Sequence, residues 1–311
     1  MTAVVGIPCG LFYYKYKTLW KAFFDLLGVK TVLSGPTGRK IMEAGIECCL
    51  NEACLPVKTY FGHAVSLTGK ADYLFIPRYT SIHKREYICP KFGGLPDMVR
   101  SNLKGLPKII DTEINLHDKG SDIRNTIYEI AEEFGIGRSS AMRAYEHALY
   151  GYHTERDSLA KAHKDAKIGD SIAVLVMGHE YIVYDKYLNM NMEEKLAKLG
   201  CSMLTMDMYD ARQLRARTSL LPKPVFWSYG TKALGCAYYL MECGGVDGII
   251  YIGSFGCGID SFVEYMIERR VRKGSDIPFM NITIDEHTGE AGLDTRLEAF
   301  IDTIRWRHRA C

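Results

Sequence analysis

A long hydrophobic run is missing from this sequence. No apolar stretch in its 311 residues approaches the roughly 20 that a spanning helix needs, so no membrane partner is expected. A strong charge of either sign is missing too. With 39 Lys and Arg against 37 Asp and Glu, the formal net charge is +2. That is too little to argue for nucleic acid or an anionic surface. The densest basic stretch, Arg305-Trp306-Arg307-His308-Arg309, reads as a charged helix end. The opening Ala3-Val4-Val5-Gly6-Ile7 shows neither a basic leader region nor a small-residue cleavage site, so a cytoplasmic chain is expected. No Cys-x-x-Cys pair occurs, which disfavours a compact structural zinc site. No Gly-x-x-x-x-Gly-Lys-Ser/Thr phosphate loop occurs either, and Gly35-Pro36-Thr37-Gly38-Arg39-Lys40 falls short of one. Any ATP hydrolysis is therefore expected on another chain.

The composition present, 47% hydrophobic and 24% charged, is that of a folded globular chain. Its length exceeds what one core usually covers, so two lobes are expected. Short apolar runs alternate with helical stretches, which predicts parallel α/β structure. Strands are expected at 3–7, 30–34, 73–77 and 108–111, then at 171–177, 202–206, 247–252 and 279–284. Helices are expected at 17–27, 37–44, 55–69 and 95–104, then at 191–199, 230–243, 258–272 and 292–306. Between the two sets lies a stretch rich in Ala, Glu, Lys and His without strand signal, read as helices over 121–134 and 138–164. The division expected is a first lobe at 1–116, a helical connector at 117–168 and a second lobe at 169–311.

The lobes read as copies of one another. Gly6 and Gly178 each begin a turn into a tyrosine-rich loop, followed by a helix ending Leu27-Gly28 or Leu199-Gly200 and then a strand. Asp72 and Asp247 each stand just before a strand. Two similar lobes facing each other would make a cleft at the carboxyl ends of both sheets. Tyr13, Tyr14 and Tyr16, with Tyr181, Tyr184 and Tyr187, are placed at that cleft or in simple packing.

Ten cysteines are present. In a reducing compartment, metal binding or catalysis is a better reading of them than disulfides, although many will be small buried hydrophobes. Cys89 and Cys257 follow equivalent strands, at the ends where α/β folds bind ligands. Cys54 precedes Pro56 at a helix start, where N–H groups favour thiolate. Gly256 and Gly258 flank Cys257 and let the backbone approach a bulky group. The separations from Cys54 to Cys89 and from Cys89 to Cys257 match no compact ferredoxin or zinc-finger pattern.

The chain resembles the family of 2-hydroxyacyl-CoA dehydratases and their activases. The stretches that carry the resemblance are Val5-Gly6-Ile7-Pro8, Gly45-Ile46-Glu47, Glu52-Ala53-Cys54-Leu55-Pro56-Val57-Lys58 with Gly62-His63, Ser254-Phe255-Gly256-Cys257-Gly258-Ile259-Asp260-Ser261, and the run from Thr283 to Gly292. The resemblance implies two Rossmann-like lobes with short parallel sheets and an oxygen-sensitive iron–sulfur cluster in the cleft between them. The cluster is of the 4Fe–4S type, held by Cys54, Cys89 and Cys257; some members hold a double-cubane 8Fe–9S cluster instead. It further implies an ATP-dependent activator of actin-like fold that delivers single low-potential electrons, an anaerobic setting, and a homo- or heterodimer. Where the family carries arginine after Ile7-Pro8, this chain has Cys9. Cys9 is therefore a candidate fourth ligand, and Cys48 or Cys49 would join in a larger cluster.

Other residues carry weaker expectations. Glu52 would position the Cys54 loop. His63 would donate from behind the cluster or simply pack in its helix. Asp285-Glu286-His287 is read as acid–base chemistry or as a loop fixed by backbone amides, with the loop favoured. Cys201, Cys236 and Cys243 are read as structural, and Cys311 is set aside. The leading function is low-potential one-electron reduction of the dehydratase type. The alternatives are a non-catalytic cluster carrier or electron relay, and a two-lobed metal or small-ligand binder. Whether the chain is itself an enzyme stays open at this stage.

Overall fold

The structure, a computed structural model, describes residues 3–118, 120–165, 171–221 and 223–310; Cys311 lies outside them. The chain forms two compact units, one of Met1–Arg156 with Phe226–Ser228 and one of Asp157–Val225 with Tyr229–Cys311.

The first unit carries β1 (Val4–Ile7), β2 (Lys30–Leu33), β3 (Tyr73–Phe75), β4 (Arg78–Ser81), β5 (Lys108–Ile110) and β6 (Glu113–Asn115). Its four-stranded sheet is parallel throughout, in the order β2-β1-β3-β5. The pair β4-β6 is a continuation that the sequence pattern did not reveal. Pro77 has no N–H and interrupts the first strand of that edge. The ladder resumes around it, because Ile76 N–H donates to Ile110 O and Arg78 N–H to Thr112 O.

The second unit carries β7 (Ile172–Met177), β8 (Cys201–Thr205), β9 (Gly248–Ser254) and β10 (Phe279–Ile284), parallel in the order β10-β9-β7-β8. Both sheets thus run second, first, third, fourth in chain order. The chain winds one way from the first strand and then the other, so each sheet has a switch point between its first and third strands. Along β7 and β9, alternate residues Leu175, Met177, Ile249 and Tyr251 face one core. They pack on Leu234, Ala237 and Leu240 of the helix Ser228–Cys243 and on Val263, Ile267 and Val271 of the helix Gly258–Gly274. That period of two against a spacing of three and four is what buries this face of the sheet.

The repeat is real, with two corrections. Asp72 N–H donates to Val4 O while its carboxylate accepts Val4 N–H at 2.9 Å; Asp247 repeats the arrangement with Ala173, at 2.7 Å from its carboxylate. Val4 therefore corresponds to Ala173. On that register Gly6 lies inside β1, whereas Gly178 follows β7, so the two are not equivalent turns. Gly28 and Gly200 do correspond, with φ of 70° and 73° at the ends of their helices. The first tyrosine-rich loop is a second correction, since Tyr13, Tyr14 and Tyr16 belong to the helix Tyr13–Leu26; in the second unit Tyr181 lies in the turn Glu180–Val183, but Tyr184 and Tyr187 follow it in the loop. A helix at Ala211–Arg217 was also unanticipated, although Asp210 caps it by accepting the N–H groups of Arg212 and Gln213.

Candidate functional site

The three cysteines singled out share one local position. Cys54 is the N-cap of the helix Leu55–Ser66, Cys89 that of the short turn Pro90–Gly93, and Cys257 that of the helix Gly258–Gly274. Proline in the first turn sets two of these starts, since its missing N–H is not needed there. Cys257 Sγ accepts the Asp260 N–H at 3.5 Å, and Gly256 before it turns the chain at φ 74°. A Cβ on Gly258 would meet open space, so only Gly256 is demanded by the backbone.

In the first unit, Cys49 closes the helix Arg39–Cys48. Burial pushes its thiol up; Lys58 and Lys91 oppose this and Cys54 adds to it. Cys49 is thus within electrostatic reach of Cys54 and of the segment just after Cys89. Cys9 is buried, donates to Ile7 O at 3.7 Å and lies against the Tyr13 hydroxyl. His63 is fully buried with both ring nitrogens engaged, Nδ1 by Ser34 Oγ at 2.8 Å and Nε2 by Thr37 Oγ1 at 3.0 Å. Ser34 Oγ in turn accepts Cys9 N–H at 2.8 Å, so His63 supports the turn that holds Cys9. Glu52 is exposed in the turn before Cys54. An apolar cavity of about 360 Å³ opens at the carboxyl ends of β1 and β3, walled by Tyr13, Tyr16, Trp20, Tyr60, Tyr79 and Phe92. The indole N–H of Trp20 donates to Tyr79 at 2.8 Å, which fixes that wall.

In the second unit, the switch point between β7 and β9 gathers Cys257 with two residues that sequence reasoning assigned no role, His179 and Asp260. His179 follows β7, and Cys257 and Asp260 follow β9. One ligand atom of each lies within 4.8 Å of the others. His179 Nε2 is 3.4 Å from Asp260 Oδ1, which also accepts the Tyr251 hydroxyl at 2.9 Å. Beside them Lys232 Nζ bridges Glu180 at 2.9 Å and Asp207 at 2.7 Å. Two signals were available in the sequence: Asp260 stands one helical turn past Cys257, and His179 follows the glycine that ends β7.

Asp285 closes its own loop. It accepts His287 N–H at 2.9 Å and the Thr288 hydroxyl at 2.8 Å, and the Thr288 bond holds its carboxyl below the ordinary range. Cys236 is fully buried and its thiol is pushed up to about 12 by burial. Cys201 is also buried, but Cys243 is exposed at a helix end, which corrects its placement in the core.

A family model described as CoA enzyme activase uncharacterised domain matches residues 4–209, well over half of the chain. One described as 2-hydroxyglutaryl-CoA dehydratase, D-component, matches residues 155–304. No curated protein matches the chain. Among solved structures it is similar to the SBP FpvC from P. aeruginosa in complex with Ni2+, at 10% identity over 91% of this chain and 87% of that one, with a TM-score of 0.32. It is likewise similar to the Zn(II)-bound ZnuA-like domain of Streptococcus pneumoniae AdcA, at 10% identity over 98% of each chain, with a TM-score of 0.27. Likenesses this weak carry no inference about either protein's ligand.

Proposed function

This chain belongs to the 2-hydroxyacyl-CoA dehydratase and CoA enzyme activase-related family, and from that membership we propose an iron–sulfur component that handles single low-potential electrons at a cluster held by Cys54, Cys89 and Cys257. The observation that supports this most is the shared N-cap position of the three cysteines. Soft thiolates suit iron–sulfur clusters, so the donor set fits the group. Two of the helices, Leu55–Ser66 and Gly258–Gly274, are long enough to present a positive dipole end to the thiolate. The Asp260 N–H already points at Cys257 Sγ. When bound, a 4Fe–4S or 8Fe–9S cluster would supply the one-electron chemistry. The chain's own residues would hold it, donate N–H bonds to its sulfurs and limit water around it.

The electron would come from an ATP-dependent activator of actin-like fold, as membership of this family implies. A relay role is the second reading: an added thiolate from Cys9, or from Cys49 at the end of the helix just before the Cys54 loop, would close an iron position that a catalyst keeps open. Anaerobic purification with iron and acid-labile sulfide analysis tests both, beside Cys54→Ala, Cys89→Ala and Cys257→Ala. About four irons and four sulfides per chain, lost in each variant, is the expected result for a single cubane. About eight irons would indicate the double cubane and bring in Cys9 and Cys48 or Cys49. A chain without sulfide, or one whose sulfide survives all three substitutions, would sink the assignment.

A further inference from the structure

We propose that His179, Cys257 and Asp260 form a binding site for a single divalent transition-metal ion of the zinc class, complete within the second unit. The proposal goes beyond the cluster reading and shares only Cys257 with it. The ion is the occupant of Cys257 Sγ when no cluster is bound.

The donor set is the first argument. An imidazole, a thiolate and a carboxylate are three protein ligands of the kinds zinc takes, with a fourth position left for water or a small anion. Their ligand atoms lie within 4.8 Å of one another. Bonds of about 2.0–2.3 Å to one ion would draw them together by side-chain rotation.

The backbone is built to bring them there. β7 and β9 are paired in parallel at the switch point, so the loops after both strands open at the same edge. A Cβ on Gly178 would lie 2.5 Å from Ile252 O, so only glycine lets the chain before His179 press so closely onto β9. Gly256, at φ 74°, swings the chain so that Cys257 starts the helix whose first turn carries Asp260.

The side chains behind the ligands orient them. The His179 ring is stacked on Tyr229, with centroids 3.7 Å apart, and on Tyr181 at 4.7 Å. Tyr229 donates to the Tyr251 hydroxyl at 3.0 Å, and Tyr251 to Asp260 Oδ1 at 2.9 Å. Such second partners hold a metal-binding carboxylate in place. They serve only one of its oxygens. Asp260 is 2% exposed, and its Oδ2 is buried with no hydrogen-bond partner among the described residues. A buried acceptor left unpaired is costly and rare, and a cation is the partner that this oxygen calls for.

The test uses the full chain carrying Cys54→Ser and Cys89→Ser, kept reduced and titrated with Co2+ as a spectroscopic stand-in for Zn2+. One Co2+ per chain is expected, with a thiolate-to-cobalt charge-transfer band and strong visible bands of a four-coordinate ion, all bleached by equimolar Zn2+. In that background Cys257→Ser should abolish the charge-transfer band. His179→Phe keeps the ring stack, and Asp260→Asn keeps the Tyr251 bond; each should weaken binding at least tenfold. Circular dichroism confirms folding, and if Asp260→Asn does not fold, His179→Phe decides alone. No stoichiometric Co2+, or equal binding with and without His179, overturns the site. Cobalt held through His179 in a protein whose wild type never assembles iron and sulfide would uphold this site and sink the cluster. Iron and sulfide in the wild type without cobalt in the background variant would do the reverse.

Discussion

A Cβ on Gly62 would lie 1.8 Å from the main-chain oxygen of Ile41, so the helices Arg39–Cys48 and Leu55–Ser66 cross with their backbones in contact. Gly45 answers from the other side, where a Cβ would be 2.1 Å from Lys58 O.

Gly62→Ala should therefore be one of the more damaging single-methyl changes in the first unit. The obstacle is backbone, which cannot swing aside as a side chain would. A loss of about 3 kcal/mol is expected, at the top of the usual range for overpacking. Urea unfolding measures it, and a midpoint unchanged from wild type would mean that the helices are not so closely crossed.

His63 gives the fold an acid sensitivity. Burial lowers its pKa from 6.5 to about 4, so the folded chain holds the ring neutral between two hydroxyls. Between those values the unfolded chain binds the proton and the folded chain does not. Stability contributed by this group is complete above about pH 6.5 and falls as pH drops toward 4, by about 3 kcal/mol in all. Unfolding free energies at pH 7 and pH 4.5 should differ less in His63→Gln than in wild type. Equal pH slopes would rule the effect out.

Lys232 sits 13% exposed between Glu180 and Asp207, at 7% and 10%. Lys232→Met removes the cation and leaves two buried carboxylates facing each other. The expected cost is about 3–5 kcal/mol, much of it the penalty of unpaired charge. Adding Glu180→Gln and Asp207→Asn should recover most of that loss in thermal unfolding. A triple variant no more stable than Lys232→Met would show that the carboxylates are not the cause.

Much of the architecture was legible in the residues. All eight strands expected from apolar runs are present within two residues of their ends, and β7 and β9, buried along nearly their whole length, write the most continuous apolar stretches. The helix starts at Pro56 and Gly258 were likewise written in local chemistry, whereas the short turn Pro90–Gly93 was read as loop. The β4-β6 extension was not, since Pro77 breaks the run that would have announced it. The exposed position of Cys243 was not legible either, because helical periodicity does not say how far packing extends along the last turn.

What the sequence by itself determined is the order of most elements, the doubled α/β pattern and the placing of Cys54 and Cys257 at helix starts, all of which depend on neighbours in the chain. Only the tertiary structure decided which distant residues meet. Asp260 is three residues from Cys257, but His179 is far from both along the chain, and parallel pairing of β7 with β9 brings it to them. The same holds for Ser34, which lies between His63 and the Cys9 backbone. Hydrophobic spacing records which face of an element is buried. It does not record which polar atoms arrive at the end of a sheet, because that is set by strand order and by the few glycines that let backbones touch.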